Sequence, residues 1–122
     1  MKPPTPQESY DHIMGASPDY WSWWDLDSNV SGLGDAPDDW IVKGTIENPY
    51  EDSPAELPVQ LGHVEIVRAI RKIAAKEAGK YVSDSAQKSC SDFIFRRDEA
   101  DFDAGTADEV LQVAVLGEVV YG

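Results

Sequence analysis

Two histidines and one cysteine are the first side chains to weigh for chemistry. His12, His63 and Cys90 would make a thiolate nucleophile if an imidazole lay against the sulfur and lowered its pKa. No catalytic signature surrounds Cys90, and its place at an apolar helical position predicts a small buried hydrophobe. A second candidate is the run Asp98-Glu99-Ala100-Asp101-Phe102-Asp103, since hard cations prefer clustered carboxylates. Counted from Asp101, a calcium-loop register puts Thr106 where glycine is required and Gln112 where a bidentate glutamate is required. The acids read better as negative charge placed ahead of a helix N-terminus, so no metal site and no cofactor are expected. Gly32-Leu33-Gly34-Asp35-Ala36-Pro37 opens like a phosphate loop, but Pro37 interrupts it and Asp35 and Asp38 would repel a pyrophosphate. The chain is expected not to be an enzyme.

Binding chemistry is better represented. Trp21, Trp23, Trp24 and Trp40, with Tyr20, place four tryptophans within twenty residues. Such rings bury large areas in a small core. If Trp23 and Trp24 are neighbours on a strand, they point to opposite faces and one is left for a ligand or partner. With Asp35, Asp38 and Asp39 nearby, such a ring would anchor a protein–protein contact. Arg68, Lys72 and Lys76 recur every four residues, flanked by Arg71, as a basic stripe away from the apolar side of a helix. Arg68, Arg71 and Lys72 are expected either to pair with the chain's own acids or to grip an anion such as a nucleotide phosphate.

Charge decides among partner classes. The 122 residues hold 10 Lys+Arg and 23 Asp+Glu, a net charge of −13, which disfavours nucleic acid and anionic membranes. Residues 1–57 carry 12 acids and 2 bases, residues 58–97 carry 4 and 8, and residues 98–122 carry 7 and none. The chain therefore reads acidic, basic, acidic. One cysteine excludes an intramolecular disulfide, and no apolar run approaches the ~20 residues of a membrane helix. A single cytoplasmic domain is expected, with residues 1–8 as a flexible arm.

The positioning elements follow from pattern. A short helix is expected over Ser9–Ala16 with Ser9 as cap, then a strand over Tyr20–Leu26 and an acidic loop over residues 27–39. A second strand over Trp40–Ile46 places Trp40, Val42, Gly44 and Ile46 on one face and Ile41, Lys43 and Thr45 on the other, and Gly44 within it marks a bulge or close backbone approach. Leu57–Leu61 makes an edge strand because Pro58 cannot donate to a ladder. Helices are expected over His63–Ala78, capped by Gly62 with Glu65 and stopped by Gly79, and from about Asp84 to Phe95, capped by Ser83. Thr106 with Glu109 predicts the start of a last, central helix that Gly117 ends, and Val119–Tyr121 packs behind it, as a short strand. The fold class is α+β: a small antiparallel sheet bearing the tryptophans, packed against about three helices.

Tyr10-Asp11-His12-Ile13-Met14-Gly15-Ala16 leading into Tyr20-Trp21, the Val64–Ala74 helix, and the ending from Ala107 to Gly122 resemble small acidic proteins of bacteriophages and actinobacteria. The resemblance implies a viral or mobile-element accessory protein and carries no functional residue. The expected function is an acidic accessory protein that binds and modulates a basic host or viral protein. The alternative is a nucleotide-binding protein that uses tryptophan stacking and the Arg68/Arg71/Lys72 stripe.

Overall fold

A computed structural model describes residues 2–30, 35–50 and 54–122. Strands β1 (Trp24–Ser28), β2 (Ile41–Glu47) and β3 (Glu56–Gly62) form one antiparallel sheet in that order. Helices α1 (Pro6–Ile13), α2 (His63–Ala74), α3 (Asp84–Phe95) and α4 (Ala104–Leu116) complete the α+β architecture. Period-two alternation sorts the strands: Trp24, Val42, Ile46, Val59 and Leu61 are buried, while Asp25, Asp27, Lys43, Glu47, Glu56 and Gln60 are exposed. The apolar face meets Ile66, Ile70 and Ile73 of α2, Phe93 and Cys90 of α3, and Val110, Leu111 and Val113 of α4 in one core. No helix among the described residues is long and apolar enough to cross a membrane.

Pro58 lies in β3, at the sheet edge, where its missing N–H costs little. Gly44 sits where a Cβ would run into the Asp25 carbonyl of the neighbouring strand, so the glycine marks a close backbone approach. Ser83 caps α3 by accepting from the Ala86 N–H, and Gly117 ends α4 with φ +82°, both as the sequence predicts.

Several boundaries differ from expectation. Helix α1 starts at Pro6, within the residues read as an arm, because Thr5 and Glu8 form a capping box. Ser9 is not the cap but a buried residue donating to the Pro6 carbonyl at 3.0 Å. Helix α2 stops at Ala74, not Ala78: Lys76 takes the left-handed conformation at φ +59°, and the Lys76 and Glu77 N–H groups donate back to Ile73 and Lys72. That is a Schellman closure built on lysine where glycine is usual. The cap of α4 is Asp103, with Thr106 at the third helical position returning the Asp103 N–H bond. Val119–Tyr121 is not a strand.

Candidate functional site

The strand β1 begins at Trp24, so Trp21 and Trp23 lie in the turn before it. That turn is closed by the Trp24 N–H donating to the Trp21 carbonyl at 3.2 Å, and the Trp23 carbonyl accepts the Glu47 N–H at 2.9 Å. Strand alternation therefore does not apply to Trp23. Instead of facing opposite ways, both indoles turn to one oxygen: Trp23 Nε1 and Trp24 Nε1 donate to Asp108 Oδ1 at 3.1 and 2.6 Å. The other carboxylate oxygen accepts Gln112 Nε2 at 2.8 Å. Gln112, one helical turn beyond Asp108, accepts the Val120 and Tyr121 N–H groups on Oε1 and donates to the Tyr121 carbonyl. Asp108 and Gln112, two buried polar residues of α4, thus hold the tryptophan turn and the end of the chain together. Burial pushes the Asp108 carboxyl above its ordinary pKa, against the hydrogen bonds from Trp24, Gln112 and Trp23 that lower it.

Tyr121 is locked from its other end, its hydroxyl donating to the Glu47 carbonyl at 2.8 Å. Its ring stacks on Trp23 at 4.8 Å between centroids, and Trp23 stacks on Trp21 at 5.6 Å. Tyr20 closes the series edge-on against Trp21 and is 79% exposed. Trp40 is not part of this assembly. It is buried, donates Nε1 to the Pro6 carbonyl and packs against the edge of Tyr10, so it secures α1 rather than offering a contact. Trp24 is likewise buried, with only a margin open.

A cavity of about 530 Å³ opens at this end of the sheet, its lining including Trp23, Trp24, Asp25, Glu47 and Glu56. Thr45 donates its hydroxyl to Glu56 Oε2 at 2.6 Å, steadying one rim carboxylate. Across the exposed face the register sets Asp27 beside Lys43 and Glu47 beside Glu56, giving four carboxylates to one ammonium. Asp35, Asp38 and Asp39 are also exposed, but Asp38 and Asp39 border a separate cavity of about 520 Å³ with His63 and Val64.

The basic stripe divides. Lys72 reaches the C-terminus of α4 and donates to the Gly117 carbonyl at 3.1 Å, so its charge is spent on a helix dipole. Arg68 and Arg71 are exposed and form no ion pair among the described residues, so pairing with the chain's own acids does not occur there. They line a different cavity, of about 360 Å³, in which no tryptophan takes part. The stacking ring and the guanidiniums that the nucleotide reading requires are therefore not brought together.

Cys90 is fully buried, and burial, aided by the Glu109 charge, raises its pKa far above that of a free thiol. It is not an available nucleophile. Asp103 is consumed as the α4 cap, and its carboxyl is held below the ordinary value chiefly by the Thr106 N–H. Arg96 takes Glu99 at 3.5 Å, and no three His, Cys, Asp or Glu among the described residues could hold a metal ion. Gly32-Leu33-Gly34 lies outside the described residues. Asp108 and Gln112 were the residues that sequence reasoning missed; their signal was two polar side chains four apart amid Val110, Leu111 and Val113. No family model matches the chain, and neither a curated protein nor a solved structure matches it.

Proposed function

We propose that this protein is a non-enzymatic binding module that docks a basic protein on the open, acidic face of its sheet. The observation that carries the reading is that face itself: Asp25, Asp27, Glu47 and Glu56 exposed against Lys43 alone, beside a cavity whose lining includes Trp23 and Trp24. Carboxylates in such an array attract lysine and arginine over several ångströms and steer encounter, while the half-buried Trp23 adds apolar area at the cavity to meet their stems. The Asp108–Gln112 network supports the role by fixing both indoles before a partner arrives, which lowers the entropy cost of binding. The resemblance to small acidic phage and actinobacterial proteins favours an accessory role in which the partner is a host protein whose activity is modulated.

The test compares two variants of equal net charge. One neutralises the sheet face (D25N/D27N/E47Q/E56Q); the other neutralises four exposed acids elsewhere (D11N/E77Q/D98N/D101N). Affinity capture from a host lysate with the parent protein identifies the partner, and titration calorimetry with the purified partner measures both variants. The expected partner is basic, binds the parent with affinity that falls steeply with salt, and loses binding only to the sheet-face variant. An acidic partner, or equal losses in both variants, refutes the reading.

A further inference from the structure

The cavity beside Arg68 and Arg71 has a chemistry that the acidic face does not explain. The chain holds four arginines, and the two others are committed. Arg96 pairs with Asp92 at 2.7 Å, and Arg97 reaches Glu8 at 3.3 Å and the carbonyls of Phe93 and Lys2. Arg68 and Arg71, three residues apart on one side of α2, form no ion pair with an acid among the described residues. The nearest in sequence, Glu65, is turned away to accept the Gly62 N–H at 2.7 Å. The rest of the lining is largely aliphatic: Val64 and Val67, each one turn before an arginine on α2, and Pro3 and Pro4 from the N-terminal segment, with Val64 58% exposed. The Pro3–Pro4 wall is held in place by the Arg97 bond to the Lys2 carbonyl at 2.9 Å. His63 completes the lining; its Nδ1 lies 2.8 Å from Ser9 Oγ, and burial followed by the Arg71 charge keeps its pKa below the ordinary value.

From this juxtaposition we infer that the α2 face is a second docking site, for an acidic peptide segment of a partner protein in which carboxylate and aliphatic side chains alternate. Charge complementarity selects the carboxylates, because two guanidiniums at this spacing offer paired donors to them. The aliphatic lining selects a peptide over a nucleotide, since no tryptophan, tyrosine or phenylalanine lines the cavity to stack a base and the His63 ring is engaged by Ser9 Oγ at 2.8 Å. Asp38, Asp39 and Glu65 line an adjoining cavity that shares His63 and Val64, while at physiological salt acids more than about 8 Å away are screened, so the net charge of −13 as a whole does not prevent a local contact. This site is independent of the sheet face: no residue lines both cavities.

The probe is the synthetic peptide acetyl-Asp-Leu-Asp-Leu-Asp-amide, titrated into ¹⁵N-labelled full-length protein at physiological salt. Saturable amide shifts are expected around residues 63–71, with affinity about tenfold lower for R68Q/R71Q. K43Q, which removes an exposed charge from the sheet face, is expected to change affinity less than twofold, and a peptide with serine for leucine to bind more weakly. Both arginines are exposed and form no ion pair among the described residues, so the double variant stays folded, and its amide spectrum verifies this. Absence of saturable shifts, equal losses in R68Q/R71Q and K43Q, indifference to serine for leucine, or tighter binding of inorganic phosphate or ATP would each overturn the proposal. None of these outcomes bears on the sheet-face variants, so the two readings fail separately.

Discussion

Replacing Asp108 tests whether one buried carboxylate organises the tryptophan turn. In Asp108→Ala, Trp24 Nε1, Trp23 Nε1 and Gln112 Nε2 lose acceptors at 2.6, 3.1 and 2.8 Å. A hydrogen bond to a charged group contributes about 1.5–3 kcal/mol, so three of them set an upper range of roughly 4–9 kcal/mol. Other terms reduce it. Desolvation of the carboxylate, the main cause of its raised pKa, is recovered on deletion, half-buried Trp23 regains a partner in water, and Gln112 Nε2 keeps the Tyr121 carbonyl at 3.1 Å. A net loss of about 3 kcal/mol remains, which for a chain of this size lowers Tm by roughly 12 °C. Asp108→Asn is milder, about 2 kcal/mol: its Oδ1 still accepts from the indoles, but its amide faces the Gln112 amide donor to donor. Gln112 cannot flip to relieve this without losing the Val120 and Tyr121 bonds to its Oε1. Urea melts followed by tryptophan emission measure both variants. The pH dependence adds a sign test. The folded pKa of Asp108 is raised, so between the unfolded and folded values the native state binds more protons, and this group's contribution to stability falls as pH rises. The deficit of Asp108→Asn relative to the parent is therefore expected to widen as pH drops from 7 towards the unfolded carboxylate value near ~3.9. A loss below about 1 kcal/mol in Asp108→Ala at pH 7 would refute the hub, and a deficit that narrows on acidification would refute the assigned cause.

Three further outcomes follow from the same contacts. Lys76→Gly is expected to stabilise the protein by about 0.5–1 kcal/mol, because glycine adopts the left-handed closure of α2 without a Cβ penalty; a lower urea midpoint would contradict that closure. Thr106→Ala is expected to cost about 1 kcal/mol by freeing the Asp103 N–H, and hydrogen exchange at Asp103 should rise with it; an unchanged midpoint would place the helix start elsewhere. Asp92, buried between Lys88 at 2.6 Å and Arg96 at 2.7 Å, has its pKa lowered chiefly by those two hydrogen bonds. Its stabilising effect is present above the unfolded carboxylate value and lost as pH falls through the folded one, so Asp92→Asn is expected to flatten the acid limb of the stability curve; an identical acid limb in variant and parent would count against it.

What the sequence by itself determined is much of what neighbours along the chain govern, although the Thr5–Glu8 capping box and the Lys76 closure escaped it. Alternation put Val42 and Ile46 on one face and Lys43 on the other, and Pro58 alone marked β3 as an edge. Gly44 announced a close approach, and Ser83 and Gly117 marked helix ends, because caps are satisfied by side chains within three or four residues. Where two local signals competed, the chain was misread: Thr106 and Asp103 both carry cap oxygens, and which one caps depends on how far α4 can unwind against its neighbours. The site was decided by tertiary structure. Asp108 lies 84 residues from Trp24, and its spacing from Gln112 amid apolar residues marks the pair without indicating the indoles that it meets. It becomes a hub because α4 packs its side chain into the core, where a carboxylate must find donors, and the two nearest indoles supply them. The same packing separates Trp40 from the other tryptophans and Lys72 from the arginines beside it, since burial and long-range hydrogen bonds belong to the folded chain and not to its spacing.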